Sequence, residues 1–288
     1  QFKVTSSSGQ TATGSASPIT VTGLTNGNAV TFTAQAQNAI GLGKASAASS
    51  SVTPLAEVIS GLFSTFLYTG TGSDGLEINN DINLSGKGGL VWAKRRNGND
   101  VHWLVDTERG LDKSLQSNAN DAPRTGSSQI LSFDSDGFTL GNRNEGQNYS
   151  GLPYVSWTFR KEPKFFDIVT YTGNGSARTI SHNLGSVPGM MLIKKTSGAG
   201  NWMVYHRGAN GGTNPEQYYA KLNDTDAFST LASAWNNTAP TSSVFSLGDQ
   251  INVNENGSTY VAYLFAHNNN DGGFGPDSED IIKCGYYT

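Results

Sequence analysis

The chain alternates apolar and polar residues over short stretches that are separated by turn-forming residues. Side chains alternate between the two faces of a β-strand, so an alternation of period two predicts strands. Predicted strands include GLVWAKRR from Gly89, YVSWTFRK from Tyr154 and STYVAYLFAHN from Ser258. Regularly spaced short strands favour antiparallel sandwiches over βαβ units. The predicted fold class is therefore all-β, with tandem antiparallel β-sandwich domains.

Two stretches depart from this pattern. FSTLASAW, residues 228–235, has helical spacing and predicts one or two helical turns, and LAEVISGLFS, residues 55–64, predicts one short turn.

The strand pattern occurs twice in the second part of the chain. Tyr68-Thr69-Gly70 corresponds to Tyr171-Thr172-Gly173, and the similarity continues downstream. Later matching segments are GFTLG with VFSLG, YVSWTF with YVAYLF, Trp103 with Trp202, and Arg109-Gly110 with Arg207-Gly208. Matching segments with variable spacing are expected when insertions lie in surface loops. We therefore predict two homologous sandwich repeats, and Tyr287-Thr288 resembles the start of a third.

These observations divide the chain into five segments. They are a partial amino-terminal sandwich (1–54), a linker (55–64), the first repeat (65–164), the second repeat (165–267), and a linker with the start of a third repeat (268–288).

The amino-terminal segment has its own alternation. Ile19, Val21 and Leu24 form one apolar run, and the residues from Val30 to Ala36 form another. With TVTGLTNG, TFTAQAQNAIG and the closing SVTP, residues 1–54 resemble a bacterial fibronectin type III module. Val30 stands where that family usually has a tyrosine, and the first strands of the sandwich are absent, so we expect upstream sequence to complete it.

Composition narrows the possible functions. The chain has 288 residues, a net charge of −4 and 15% charged residues, which argues against nucleic-acid binding because that function requires a basic surface. No apolar run is long enough for a membrane helix, so membrane insertion is not expected. The single cysteine, Cys284, cannot form a disulfide within the chain.

The motifs that suggest chemistry are weak. GTGSDG from Gly70 matches a dinucleotide loop, but no helical pattern follows it, so we expect a turn and no cofactor. The four histidines lack metal-ligand spacing, and no metal is predicted. The acidic stretch 270–280 could bind Ca²⁺ and stiffen the linker, although turn formation is the alternative. Two local acid pairs, Asp106 with Glu108 and Asp224 with Asp226, are the candidates for a glycosidase.

Five residues are candidates for contact with a glycan or a protein partner. Tyr218, Tyr219 and Trp235 differ between the repeats, and aromatic rings in loops can stack on sugars. Arg109 and Arg207 follow predicted strands and could hold a carboxylate of the fold or of a partner. Trp103 and Trp202 are instead expected to be buried.

Residues 65–288 also resemble a repeat family of uncharacterised function found in tail-fibre and other virion structural proteins of marine tailed bacteriophages. The resemblance rests on segments such as LYTGTG, HWLVDTERG, FDSDGFTLG, HNLGSVPGMMLIKK and WMVYHRG. It implies a non-enzymatic structural component of a virion, such as a tail-fibre segment that presents loops to the host surface. The implied partners are other virion proteins, a host surface glycan and further copies of the chain itself. A trimer is one form that such copies could take. The alternatives are a carbohydrate-binding adhesin module and an enzyme that degrades host polysaccharide.

Overall fold

A computed structural model describes residues 1–25, 27–54, 61–125, 130–142, 146–267 and 282–285. Of these, residues 1–54 form a small compact unit and the rest form a larger one. The stretch predicted as a helical turn at 55–64 and the acidic stretch 270–280 lie largely outside the described residues.

The small unit is one antiparallel sheet of four strands in the order β2-β1-β3-β4. The strands are β1 (Phe2–Ser6), β2 (Thr11–Gly14), β3 (Phe32–Asn38) and β4 (Gly41–Leu42). Val30 is 2% exposed and exchanges two backbone hydrogen bonds with Val52, of 2.8 and 2.9 Å.

The alternation at Ile19, Val21 and Leu24 does not form the strand that it predicted. Pro18 has no N–H to donate to a ladder, and Gly23 adopts a φ of 75°, which interrupts an extended course. The similarity of this unit to fibronectin type III modules remains a prediction.

The larger unit contains two sandwiches. The described residues of the first sandwich form nine strands and one α-helical turn. They are β5 (Phe63–Thr69), β6 (Leu76–Asn79), α1 (Leu84–Lys87), β7 (Gly89–Arg95), β8 (Trp103–Asp106), β9 (Lys113–Gln116), β10 (Arg124–Thr125), β11 (Ile130–Phe133), β12 (Gly137–Leu140) and β13 (Pro153–Arg160). Six strands form one sheet in the order β10-β9-β8-β7-β13-β5, and the other three form a small sheet, β11-β12-β6.

The second sandwich has eight strands and two α-helical turns. They are β14 (Phe166–Thr172), β15 (Arg178–Ser181), β16 (Pro188–Lys195), β17 (Met203–His206), β18 (Tyr218–Lys221), β19 (Ser229–Thr230), α2 (Ala232–Trp235), β20 (Val244–Leu247), α3 (Ile251–Asn254) and β21 (Thr259–Ala266). Two short 3₁₀ turns, Ala209–Gly212 and Pro215–Gln217, precede β18. The large sheet has the order β14-β21-β16-β17-β18-β19, and β15 pairs with β20.

The two large sheets have the same strand order. Read from one edge, the first sheet has the order β5-β13-β7-β8-β9-β10. Read from the corresponding edge, the second sheet has the order β14-β21-β16-β17-β18-β19. All pairings between named strands are antiparallel among the described residues, which confirms the predicted all-β sandwich class. The helical turn predicted within residues 228–235 is present as α2 in the second half of that stretch, whereas Ser229–Thr230 form β19. GTGSDG is followed by strand β6, which places no helix N-terminus behind it.

The same buried polar contacts also occur in both sandwiches. Asn148 accepts from Thr71 N at 2.7 Å and donates to Ser73 O and Gly141 O. Asn254 accepts from Asn174 N at 3.0 Å and donates to Ser176 O and Gly248 O. One amide side chain thus ties three backbone segments together in each copy.

The described residues of the larger unit form three apolar cores. One fills the first sandwich, around Phe138, Leu140 and Tyr154, and another fills the second, around Trp235, Phe245 and Leu247. The third, which we call the shared core, lies between the two large sheets. It contains Leu90, Leu104 and Leu115 of the first sandwich, and Leu192 and Tyr263 of the second.

The shared core explains why β21 reads YVAYLFA without clear alternation. Tyr260, Ala262 and Leu264 point into the second sandwich, while Val261 and Tyr263 point into the shared core. A strand that is covered on both faces is apolar at nearly every position. The segment boundaries predicted at 65–164 and 165–267 remain predictions, and the structure groups both segments in one compact unit.

Candidate functional site

Trp235 is a core residue and not the exposed loop aromatic that the sequence suggested. Its side chain is 1% exposed, its Nε1 donates to Tyr218 O at 2.8 Å, and its ring packs edge-on against Tyr205. The reason is α2, which turns the indole inward between β18 and β20. Trp235 therefore supports the core and offers no platform to a sugar.

Tyr218 and Tyr219 are consecutive residues of β18, and both are half-buried. Tyr219 packs against the core of the second sandwich, and Tyr218 pairs with Thr230 of the edge strand β19. These rings keep an accessible part and remain candidates for contact with a ligand.

Arg109 and Arg207 do not occupy equivalent positions, in contrast to the sequence alignment. Thr107 N donates to Gly89 O at 3.0 Å, and Arg207 N donates to Gly189 O at 2.9 Å. This register aligns Arg207 with Thr107. Arg207 is exposed, whereas the side chain of Arg109 is only 4% exposed.

Arg109 was predicted to hold a carboxylate either of the fold or of a partner. The structure shows that it holds a carboxylate of its own chain. Its Nε donates to Asp106 Oδ2 at 2.6 Å, and a second guanidinium nitrogen donates to Tyr263 Oη at 3.1 Å. Tyr263 Oη in turn donates to Asp106 Oδ2 at 2.7 Å. Burial raises the pKa of Tyr263 well above its ordinary value, so the hydroxyl keeps its proton for this bond. The triad joins the first sandwich to the second.

Lys194 forms another buried link between the sandwiches. Its Nζ donates to Asn120 O, Asp121 O and Gly200 O, at 3.3, 2.8 and 2.9 Å. The side chain is fully buried, and desolvation lowers its pKa to about 8. The carbonyl dipoles replace part of the lost hydration and fix the loop after β9 over β16.

A polar groove of about 510 Å³ opens at one end of the contact between the sandwiches. Hydroxyl side chains cover its floor on the large sheet of the second sandwich, where Thr172 pairs with Thr259 and Thr196 Oγ1 lies 2.7 Å from Thr259 Oγ1. Glu108 and Lys113 line the opposite side. The groove can exchange hydrogen bonds with a hydroxyl-rich ligand.

The sequence reasoning missed Tyr263 and Lys194. Both lie in strands that were recognised as strands, but alternation does not reveal that the second face is covered. The apolar run around Tyr263 was the one available signal, because it implies burial on both faces. Trp103 and Trp202 are both buried, as expected, but the register aligns Trp103 with Met203.

The remaining candidates for chemistry have structural partners. Asp106 is engaged by Arg109, and Asp224 and Asp226 each lie 3.2 Å from Lys221 Nζ. Burial lowers the pKa of His102, His182 and His206. Within the described ranges, no three acidic, histidine or cysteine residues are grouped as a metal site would require, and no helix has the length and apolarity to cross a membrane.

Comparison with known proteins shows one family. The family described as "Domain of unknown function (DUF7483)" matches residues 59–275, which include both sandwiches of the larger unit. No curated protein and no solved structure gives a significant match. Because this match covers most of its length, the chain belongs to the DUF7483 family.

Proposed function

We propose that this chain is a non-enzymatic structural component of a bacteriophage virion, as a tail-fibre or other appendage segment that spans distance and presents loops to the host surface. The family resemblance of residues 65–288 motivates this role. The observation that carries it is the shared core, which joins two sandwiches of equal topology into one compact unit.

The rigidity of the pair of sandwiches depends on the junction between them. Adjacent domains normally move relative to each other unless their interface is extensive and apolar. Here the shared core, the Asp106–Arg109–Tyr263 triad and the Lys194 contacts all resist such motion. The connecting chain is also short and bonded, since Glu162 N donates to Phe166 O at 3.0 Å. A rigid pair of sandwiches transmits force along an appendage.

The test of this proposal is the location of the protein in particles. Phage particles purified from the source should contain peptides of this chain by mass spectrometry, and antibodies against it should label an appendage in electron micrographs. Recovery of the chain only from particle-free fractions would refute the proposal.

A carbohydrate-binding adhesin module is the second candidate, and the polar groove favours it. A row of threonine hydroxyls beside the charged Glu108 and Lys113 suits the hydroxyl groups of a glycan. Tyr218 supplies a separate, partly exposed aromatic ring on β18.

A glycan array with the full chain tests this second role. Binding that falls about five- to thirtyfold in Thr259→Val, which removes one or two hydrogen bonds of about 1 kcal/mol each, would support the groove. The matched control is Thr179→Val, in β15 and outside the groove, and Tyr218→Ala tests the aromatic ring. Equal binding by all four proteins, or none by the wild type, would reject the groove as a glycan site.

A further inference from the structure

The first strand of each sandwich lies at the edge of its large sheet. In the described part of the chain, β5 pairs with β13, and β14 pairs with β21. An edge strand carries N–H and C=O groups that point away from the sheet, and these groups can pair with another chain unless they are blocked. Because the two large sheets have the same strand order, their edges can be compared residue by residue.

The flanking hydrogen bonds identify the residues of β5 whose backbone groups point outward. Gly70 N donates to Leu152 O at 2.9 Å, and Arg160 N donates to Leu62 O at 2.8 Å. Since hydrogen-bonded and non-hydrogen-bonded pairs alternate along an antiparallel ladder, the even-numbered residues of β5 bond to β13. The outward residues are Phe63, Thr65, Leu67 and Thr69.

The chain itself blocks the corresponding edge of the second sandwich. The repeated Tyr-Thr-Gly aligns the outward residues of β5 with Phe166, Ile168, Thr170 and Thr172 of β14. Phe166 exchanges two backbone hydrogen bonds with Glu162, of 3.0 and 3.1 Å. Ile168 N donates to Asp167 Oδ1 at 2.9 Å, and Arg178 Nη1 donates to Thr172 O at 2.8 Å. These internal bonds occupy most of the groups that a further strand would need.

The β5 edge lacks these contacts within the described ranges, where no hydrogen bond reaches its outward backbone groups. Ser64 stands where Asp167 caps the β14 edge, and Leu76, the first residue of β6, stands where Arg178 begins β15. Natural sheet edges are usually protected by charges, proline or bulges. The sequence of β5, FSTFLYT, has no charge and no proline, and its register with β13 is regular.

We propose that the β5 edge pairs antiparallel with the β5 edge of a second copy of this chain. A two-fold axis through Phe66 aligns all seven residues of one strand with all seven of the other. It pairs Phe63 with Thr69 and Thr65 with Leu67, and each of these pairs can exchange two hydrogen bonds. Phe66 then faces its own counterpart in a non-hydrogen-bonded pair, where side chains lie closest and an aromatic pair is stabilising. The strand is thus complementary to itself.

Charge and exposure also favour a second copy as the partner. Because β5 is uncharged, two copies bring no like charges together, and a strongly charged partner would find no opposite charge on the strand. Phe63 and Leu67 are 39% and 56% exposed on one face of β5, and pairing covers part of both side chains. The new hydrogen bonds lie in the plane of the sheet, so the shared core within each chain stays in place.

The resulting assembly is a closed dimer. The two six-stranded sheets become one continuous sheet, and the two-fold axis uses the same edge of both copies, which leaves no β5 edge for a third. The dimer goes beyond the proposed appendage role, and its test does not depend on where the chain is located.

The first experiment measures self-association of the full chain by sedimentation velocity, from about 1 μM to about 500 μM. We expect the average mass to rise with concentration to twice that of the monomer and no further. Leu67→Pro removes an outward N–H that β13 does not use and places the proline ring against the partner strand, so association should weaken at least about tenfold. Thr170→Pro is the matched control, because Thr170 is the equivalent exposed residue on the blocked β14 edge, and it should change association less than about twofold.

Leu67→Lys tests the same edge without altering the backbone. It keeps the N–H but places two ammonium groups at diagonal positions across the two-fold axis, where like charges are destabilising. Association should again weaken at least about tenfold, and Thr170→Lys is the control. Thermal unfolding of all four variants checks that each one folds, so the lysine pair decides the outcome if proline unfolds the strand.

Disulfide crosslinking tests the register. In a Cys284→Ser background, which removes the native thiol, Phe66→Cys places two thiols opposite each other on the axis, and mild oxidation should give a covalent dimer. Thr65→Cys is the control. Thr65 faces Leu67 of the other copy, so two cysteines at position 65 lie on a diagonal that is too long for a disulfide.

Four results would overturn the proposal. They are a wild type that stays monomeric at the highest concentration, assembly beyond two copies, association that Leu67→Lys leaves unchanged, and crosslinking of Thr65→Cys as fast as that of Phe66→Cys. None of these results bears on the virion location, which has its own test.

Discussion

At the scale of single residues, polar groups join the two sandwiches at buried positions. The carboxylate of Asp106 is paired with Arg109 and with Tyr263 Oη, and Lys194 Nζ is held by three carbonyls. Buried charges are tolerated when they are paired and hydrogen-bonded. The two sites differ in one respect: the carboxylate is in direct contact with a counter-ion, whereas the direct contacts of the ammonium are carbonyl oxygens.

Because of the triad, we expect Asp106→Ala and Tyr263→Phe to lower the free energy of unfolding by unequal amounts. Asp106→Ala leaves the guanidinium of Arg109 buried without its counter-ion, and we expect the free energy of unfolding to fall by about 3–5 kcal/mol. Tyr263→Phe keeps the ion pair and should cost only about 1 kcal/mol. Urea unfolding followed by tryptophan fluorescence measures both, and equal costs would contradict this account.

Lys194 predicts a dependence of stability on pH. Its pKa is lowered to about 8 in the folded state, against an ordinary value of 10.5, so between these values the unfolded state binds more protons. Stability should therefore rise as pH increases from about 8 to about 10.5, by on the order of 1–3 kcal/mol. Below pH 8 the lysine is protonated in both states and its contribution is constant.

The control for this prediction is Lys194→Met, which cannot titrate. The difference in unfolding free energy between the wild type and Lys194→Met, measured at pH 7, 9 and 10.5, isolates the lysine from the tyrosines. A difference that stays constant over this range would refute the assigned pKa.

At the scale of elements, the same close approach ends the first strand of each sandwich. A Cβ added to Gly70 would lie 2.3 Å from Tyr149 O, and one added to Gly173 would lie 2.3 Å from Glu255 O. Each glycine thus lets β5 or β14 pass directly against the loop that carries the buried asparagine. This packing requirement explains why the glycine of the repeated Tyr-Thr-Gly occurs in both sandwiches.

We expect Gly173→Ala to destabilise the protein by about 2 kcal/mol or more, because the backbone must move to admit the methyl group. Gly198→Ala is the matched control. Gly198 has no left-handed φ, and its added Cβ would meet only Lys195 Cε at 3.8 Å, so stability should change by less than about 0.5 kcal/mol. Thermal unfolding of both variants decides this, and equal melting temperatures would contradict it.

At the scale of the whole molecule, the shared core makes the two sandwiches interdependent. Each large sheet has one face covered by the other, since Tyr263 and Leu104, both 0% exposed, pack in the core between them. The larger unit should therefore open cooperatively, as proteins do when substructures share a core.

Hydrogen exchange with mass spectrometry tests this cooperativity. Peptides that contain β7 and β16 should show opening free energies that agree within about 1 kcal/mol. Leu104→Asp, which buries a charge in the shared core, should separate the two values. Different values in the wild type would show that the sandwiches open independently.

The sequence by itself determined the local elements, because strand formation depends on an alternation that each segment carries. The repeated Tyr-Thr-Gly, the paired strands around Trp157 and Tyr263, and the single turn at α2 all follow from neighbouring residues. Only the tertiary structure decided which faces are covered. Leu192 and Tyr263 lie on one side of the second large sheet, but the cover of that side comes from residues distant in sequence, such as Leu104 and Leu115. For the same physical reason, Trp235 became part of the core and Arg109 became an internal counter-ion.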